Sequence, residues 1–172
     1  VVLTHVPEAV MVTYKDTADI KEKLAGELDW ADCVVAGPGL SKSDTAKEIV
    51  AEMIAYQPKR EKRLPVLLDA DALNIIAENR KLLSGIAENE GSSKQYVYTP
   101  HMGEAARLSG KSIAQLKETS CESAKELAQK LRGICVLKDA ATVVSDGSRI
   151  YINTSGNSGM STAGAGDTLT GI

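Results

Sequence analysis

Short apolar runs alternate with longer amphipathic runs along this chain, and that alternation restricts its fold more than any other feature. Residues 33–36, 64–68 and 96–98 are apolar runs of strand length. The stretches between them repeat apolar residues at helical spacing. Strands separated by helices in this way form βα units, whose strands lie parallel in one sheet. We therefore expect an α/β fold of layered type, with a mostly parallel sheet flanked by helices.

The last third of the chain departs from this pattern. A strand is expected over 134–138, and the β-branched runs 142–145 and 149–152 flank an Asp-Gly dipeptide. Asp-Gly between two such runs is the strongest short signal for a β-hairpin. A polar, Gly-rich loop over 153–165 then leads to a helix that begins near Gly166. The sequence thus predicts a β-hairpin in the C-terminal part, between the parallel sheet and a last helix.

Length, charge and cysteine content restrict the class of protein. The chain has 172 residues and a net charge of -3, which suits one domain and does not suggest a nucleic-acid binder. Three cysteines without a Cys-x-x-Cys pair make zinc and a disulfide framework unattractive and favour a cytoplasmic protein. No apolar run has the length of a membrane span. We expect one domain over 1–172, truncated at both ends because it lacks a first Met and stops inside a helix, and we expect a homo-oligomer.

Several local signals predict individual contacts. Cys33 and Cys135 lie in apolar runs and are expected to be buried, and Trp30 is expected to pack against the core. Ser41, with Asp44 three residues later, is expected to cap the helix that follows.

Polar and glycine residues follow the expected strands. Ligands of open parallel sheets bind outside the carboxyl ends of the strands, so these segments should converge on one site. The segments are Gly37-Pro38-Gly39, Asp69 to Asp71, Pro100-His101, Lys138 and the loop before Asp167.

The sharpest motif is Gly-Ala-Gly-Asp at 164–167, just before the last helix. Small residues allow close approach of the backbone to a phosphate, and the N–H groups at a helix start favour an anion. Asp167 could there take a proton from a hydroxyl that attacks phosphorus. The alternative is a Gly-rich turn with Asp167 as a helix cap, and these residues alone do not separate the two.

The other strand ends each allow two interpretations. His101 could face the cleft and Glu104 could organise hydrated Mg²⁺, or both could be ordinary residues of a helix start. Lys138 could reach phosphates and the turn over 138–142 could wrap a nucleotide, or this could be a plain strand connection. Asp69 could bind Mg²⁺ or ligand hydroxyls, whereas we expect Asp71 to cap a helix.

Taken in order, these motifs resemble the NAD(P)H-hydrate dehydratase family of the ribokinase-like superfamily. The most specific parts are Gly-Asn-x-Gly-Met at 156–160 and Leu-Thr-Gly after Asp167. The resemblance also runs through Pro7-Glu8-Ala9, Ala36 to Leu40, Leu68 to Asn74, Thr99 to Glu104 and Val136 to Lys138.

The resemblance implies a ribokinase-like fold and repair of hydrated NADH and NADPH. A nucleotide, ADP or ATP with Mg²⁺, phosphorylates the ring hydroxyl, and loss of phosphate restores the ring double bond. By position Asp167 is the catalytic base and a substrate contact. Further residues are assigned in the same way: Gly39 and His101 to the hydrated dinucleotide, Glu104 to Mg²⁺, and Lys138, Asp139, Ala140, Ala141, Thr142 and Gly166 to the nucleotide.

Departures from the family pattern keep two other functions open. The family usually has Pro at the position of Met102 and Gly at those of Asp139 and Ala141. Ala141 could restrict the turn, and Asp139 adds negative charge near phosphates. The alternatives are a small-molecule kinase of the same superfamily, acting on a hydroxymethylpyrimidine, a thiazole or a sugar, and a non-catalytic nucleotide-binding module.

Overall fold

The computed structural model describes residues 5–57, 63–88, 94–155, 162 and 164–172. In chain order, the helices are α1 (Thr17–Trp30), α2 (Asp44–Ala55), α3 (Ala70–Glu78), α4 (Arg80–Glu88), α5 (Met102–Ser109), α6 (Ile113–Glu118), α7 (Ser120–Lys130) and α8 (Ala165–Gly171). The strands are β1 (Val34–Ala36), β2 (Leu64–Leu68), β3 (Lys94–Tyr98), β4 (Ile134–Leu137), β5 (Thr142–Ser145) and β6 (Ile150–Asn153).

The strands form one six-stranded sheet in sequence order. β1 to β4 are parallel, and β5 and β6 continue the sheet as antiparallel strands. Ser145 pairs with Ile150, so the Asp-Gly turn closes the predicted hairpin. The α/β prediction, with its mostly parallel sheet and C-terminal hairpin, is confirmed.

One face of the sheet carries the core. Val66 pairs with Tyr96 and Tyr98 pairs with Cys135, and all four side chains are buried. Each fully buried aliphatic or aromatic side chain contributes roughly 1.5–3 kcal/mol. The buried residues of α2, α3 and α7 join this cluster. The expected burial of Cys135 is confirmed, and its pKa rises to about 12 because burial disfavours the thiolate.

Two predicted side-chain positions are wrong. Cys33 is exposed, and Trp30 is 82% exposed at the end of α1. Apolar neighbours in sequence predicted burial, but neither residue belongs to the three-residue strand β1, since Trp30 ends α1 and Cys33 lies in the connection that follows. Short connections of this kind run over the surface.

The predicted helix caps also differ from the observed ones. The N-cap of α2 is Ser43, not Ser41, and the Ser43 hydroxyl accepts a hydrogen bond from the Ala46 N–H. Ser41 has a φ of 66° and its N–H donates to the carboxylate of Asp71 at 2.8 Å. Asp71 lies in the first turn of α3. Its carboxylate holds the loop between β1 and α2 at Ser41 and does not cap α3. The cap position of α3 belongs to Asp69, whose side chain makes no cap bond.

None of the helices in the described ranges combines the length and the apolar character that crossing a membrane requires.

Candidate active site

The ends of the parallel strands are joined beyond the strands themselves. The N–H groups of Asp69 and Thr99 donate to the last carbonyl of the neighbouring strand at 3.1 and 3.2 Å, and the Lys138 N–H donates at 2.8 Å to Pro100, two residues beyond β3. These bonds extend the parallel ladder, so the side chains that follow the strands emerge at one edge. The predicted convergence at the carboxyl edge is confirmed for these strand ends.

An ion pair crosses this edge. The Lys138 ammonium lies 2.8 Å from one carboxylate oxygen of Asp69 and 3.1 Å from the other. Asp69 is 3% exposed, whereas Lys138 is partly exposed. The carboxylate is thus buried, whereas the lysine side chain remains partly accessible to solvent or a ligand.

Asp69 stays ionised despite its burial. Burial alone raises the pKa of Asp69, but the hydrogen bond and charge of Lys138 act in the opposite direction. The Thr170 hydroxyl also donates to the carboxylate, and the nearby backbone at Ala70 lowers the pKa further. The result is a pKa below the usual value, so the pair is a charged pair at neutral pH.

The last helix reaches this ion pair. The Thr170 hydroxyl lies 3.0 Å from Asp69 Oδ2 and 2.8 Å from the Gly166 carbonyl oxygen, so its single proton serves both acceptors in turn. A Cβ placed on Gly166 would lie 3.8 Å from the Lys138 ammonium. The start of α8 therefore faces the positive charge at the end of β4.

Asp167 lies in the first turn of α8 with its side chain exposed. Gly164 precedes the helix in the left-handed region, with a φ of 85°. The Ala165 N–H donates to the Thr162 carbonyl, so this amide is not available to a phosphate in the observed arrangement. Gly-Asn-x-Gly-Met at 156–160 and the residue before Gly164 lie outside the described residues.

The turn after Lys138 is open to solvent. Asp139, Ala140 and Ala141 are exposed, and Thr142 begins β5. Neither Asp139 nor Ala141 has a positive φ. The turn therefore forms without the left-handed backbone that glycine would favour at these positions.

His101 and Glu104 form a capping box at the start of α5. His101 Nδ1 accepts from the Gly103 N–H at 2.9 Å, and the Glu104 carboxylate accepts from the His101 N–H at 2.9 Å. His101 Nε2 lies 3.3 Å from the other oxygen of Glu104. Because Nδ1 is an acceptor, the proton of the neutral ring is on Nε2. A Cβ on Gly103 would lie 2.8 Å from the imidazole, so glycine leaves room for this cap.

Glu104 is a buried carboxylate at this edge, at the start of α5. Burial raises the pKa of Glu104, and the negative charge of Asp69 adds to the rise, while His101 and Lys138 oppose it. No three His, Cys, Asp or Glu side chains cluster as a metal site within the described ranges. One carboxylate fits Mg²⁺ when phosphate oxygens and water complete the coordination shell.

The loop after β1 approaches Asp69 through its backbone. A Cβ on Gly37 would lie 1.7 Å from the Asp69 carbonyl oxygen, and its φ is 128°. Gly39 has a φ of 67°, and a Cβ there would meet no atom of the described residues within 4 Å, so Gly39 borders open space. The Leu40 N–H closes the turn onto the Gly37 carbonyl at 3.0 Å. Gly37 is thus required by packing, whereas Gly39 remains available to a ligand.

The sequence patterns did not predict which residues of the site bond to each other. The Asp69 pair with Lys138 and the Thr170 bond to Asp69 join residues 69 and 101 positions apart. The sequence signal for them was limited to the placement of Asp69 and Lys138 at two strand ends.

Two shallow hollows lie elsewhere: one between α2 and α4, and one at the amino ends of β3 and β4.

Known proteins are similar to this chain in both sequence and fold. The model of the NAD(P)H-hydrate dehydratase family matches residues 1–172. A bifunctional NAD(P)H-hydrate repair enzyme of Escherichia coli is 40% identical over 152 residues, which are 88% of this chain and 26% of that protein. The chain therefore spans about a quarter of the length of this curated relative.

Two solved structures extend the comparison. A ribokinase-like superfamily protein of Enterococcus faecalis has a TM-score of 0.75 at 28% identity, over 98% of this chain and 54% of that one. The ADP/ATP-dependent NAD(P)H-hydrate dehydratase of Bacillus subtilis, co-crystallized with ATP and Mg²⁺, has a TM-score of 0.70 at 28% identity, over 99% and 55%. The fold is ribokinase-like, and the chain belongs to the NAD(P)H-hydrate dehydratase family.

Proposed function

We propose that the protein is an ADP- or ATP-dependent (S)-NAD(P)H-hydrate dehydratase. The observation that supports this most directly is the approach of the Lys138 ammonium to the start of α8 at Gly166, the residue just before the exposed Asp167. A positive side chain, a glycine backbone and an exposed carboxylate are the groups that transfer of a phosphoryl group to a hydroxyl needs. Membership of the family and the ATP-bound relative add to this support.

Asp167 has the position of the base. Its exposed carboxylate would take the proton of the ring hydroxyl as that oxygen attacks the terminal phosphorus of the nucleotide. The bond from that phosphorus to the nucleotide oxygen breaks in the same transfer. The bond between the ring carbon and the ester oxygen then breaks, and inorganic phosphate leaves with that oxygen. The neighbouring ring carbon loses a proton to solvent, and the electrons of that C–H bond form the double bond.

Lys138 and the exposed turn over 138–142 form the nucleotide side of the proposed site. The ammonium would balance the charge on the phosphates, and Gly166 would let them approach the backbone. Mg²⁺ supplies charge neutralisation at the phosphate oxygens when it is bound. Glu104 is the residue that would hold its water shell.

Gly39 and His101 form the proposed dinucleotide side. Gly39 borders open space, and the His101 side chain is 54% exposed. Both imidazole nitrogens face protein partners in the observed arrangement. We therefore expect His101 to offer its ring surface to the hydrated dinucleotide, or to exchange its cap bond on binding.

The test is incubation of the intact protein with hydrated NADH and either ADP or ATP. Recovery of the absorbance of reduced nicotinamide, with one inorganic phosphate released per turnover and none without nucleotide, is the expected result. A stable phosphorylated product from a hydroxymethylpyrimidine, a thiazole or a sugar would instead identify a kinase. Nucleotide binding by calorimetry without turnover of any of these substrates would favour the non-catalytic nucleotide-binding module.

A further inference from the structure

Asp69 is a buried carboxylate that the proposed chemistry does not use. It is 3% exposed, and it accepts hydrogen bonds from Lys138 and Thr170. A buried charge is costly unless it is paired and hydrogen-bonded. The number of donors directed at this one group indicates a role beyond filling space.

The first partner of Asp69 belongs to the nucleotide side. Lys138 has a long, flexible side chain whose rotamer freedom opposes a fixed position. Both oxygens of Asp69 hold its ammonium, and the ammonium points to the start of α8 at Gly166. An ammonium has three N–H groups, so two bonds to Asp69 leave one for a phosphate oxygen.

The second partner of Asp69 belongs to the helix that carries the base. Thr170 is buried and lies one turn after Gly166 and Asp167. Its hydroxyl reaches both the Asp69 carboxylate and the Gly166 carbonyl. One carboxylate therefore fixes the end of β4 and the start of α8 relative to each other.

We propose that Asp69 is a positioning residue that sets the distance between the Lys138 ammonium and the first turn of α8, and thereby determines affinity for the nucleotide phosphates. This inference rests on the proposed function and assigns a role within that same site. Asp69 acts through Lys138 and Thr170 and does not itself contact the nucleotide.

Asp71 offers a matched comparison. It lies two residues away in the same motif, but its carboxylate accepts from the Ser41 N–H and so holds the loop that carries Gly39. Loss of Asp71 should affect the hydrated dinucleotide, whereas loss of Asp69 should affect the nucleotide. A general loss of structure would affect both.

The experiment uses the intact protein with Asp69→Asn and Asp71→Asn. ATP affinity is measured by calorimetry, and KM is measured separately for nucleotide and for hydrated NADH. Asp69→Asn should weaken ATP binding by roughly tenfold to a hundredfold, because small misplacements of a positioning group have effects of this size. Its KM for hydrated NADH should change less than about threefold. Unchanged or tighter ATP binding would overturn the proposal, as would equal losses for both substrates.

A double-mutant cycle tests whether Asp69 acts through Lys138. Lys138→Met is compared with Lys138→Met combined with Asp69→Asn, a variant from which both charges are gone and which avoids an unpaired buried charge. Because Asp69 also acts through Thr170, the further loss of ATP affinity in the double variant should be smaller than the loss that Asp69→Asn causes alone. A full additional loss would assign Asp69 a merely structural role. Wild-type protein that binds ATP without restoring reduced cofactor would refute the dehydratase but not the role of Asp69.

Discussion

Two lysines at opposite edges of the sheet show how the surroundings of a charge separate a structural role from a proposed functional one. Lys94 begins β3 and is 4% exposed, and its ammonium donates to the carbonyls of Met53 and Ile54 at the end of α2. Lys138 follows β4 and donates to the carboxylate of Asp69. Both are lysines at strand ends, but one donates to neutral backbone acceptors and the other to an ionised carboxylate.

The difference appears in the proton affinity of the amino-edge lysine. Burial lowers the pKa of Lys94 from 10.5 to about 8. The carbonyl groups of Met53 and Ile54 accept its N–H groups, but a neutral carbonyl offsets less of the lost solvation than a carboxylate does. Asp69, by contrast, is kept ionised by Lys138. The Lys94 ammonium bonds the carbonyls at the end of a helix and is buried, whereas the Lys138 ammonium is held by a carboxylate and is partly exposed on the proposed nucleotide side.

The largest expected effect separates chemistry from stability at the carboxyl edge. Asp167→Asn should lower turnover by roughly 10²–10⁴-fold, the range for loss of a general base, because the amide cannot take the hydroxyl proton. ATP affinity and thermal stability should change little, since the side chain is exposed. Rates of reduced-nicotinamide recovery at saturating substrates measure the effect.

Glu118→Gln, an exposed acid at the end of α6, is the matched control and should leave turnover unchanged. If turnover persists in Asp167→Asn, Asp167 is not the base. The contrast between a structural lysine and a lysine in a catalytic site then loses its support.

A smaller effect is expected at the start of α8. Gly166→Ala should weaken ATP binding roughly tenfold, because the new methyl group enters the space beside Lys138 that a phosphate would use. The nearest atom of the described residues is 3.8 Å away, so stability should hold or rise by up to about 1 kcal/mol. Calorimetric titration and a thermal melt separate the two outcomes.

Gly171→Ala lies at the other end of the same helix, where an added Cβ would meet no described atom within 4 Å, and should leave ATP affinity unchanged. Equal affinities for wild type and Gly166→Ala would contradict a phosphate position at this turn.

The smallest expected effect tests the amino-edge lysine. The folded-state pKa of Lys94 lies below its unfolded value, so the unfolded chain binds more protons between about pH 8 and 10.5. The contribution of Lys94 to stability should therefore rise with pH, by about 1 kcal/mol from pH 7.5 to 9. Urea unfolding at the two pH values measures the rise as the difference between wild type and Lys94→Met. The difference is needed because the Cys135 thiol, whose pKa is about 8.5 when unfolded and about 12 when folded, lowers the stability of both proteins in the same window.

Lys94→Met should remove the rise in stability with pH that Lys94 contributes, and it should leave ATP affinity unchanged. A pH slope that is the same in the variant and in wild type would mean that Lys94 does not titrate in this window, and the contrast with Lys138 would lose its basis.

Patterns of neighbouring residues predicted much of the local structure, although they placed the caps of α2 and α3 on the wrong residues. The Asp-Gly turn, the strand ends and the helix start near Gly166 were all predicted, because backbone preferences and apolar periodicity act over a few residues. The convergence at the carboxyl edge followed from parallel topology. Where burial depends on what lies opposite, as at Cys33 and Trp30, the same patterns gave the wrong answer.

The succession of strands and helices along the chain, and the edge at which polar residues gather, could be predicted from the amino-acid sequence. Which of these residues bond to each other depends on the packed fold: Asp69 bonds with Lys138 and Thr170, and Asp71 with the Ser41 N–H. These partners lie tens of residues apart, and no periodicity relates them. A buried carboxylate must find its donors wherever the packed elements place them, so the pairing is a property of the assembled sheet.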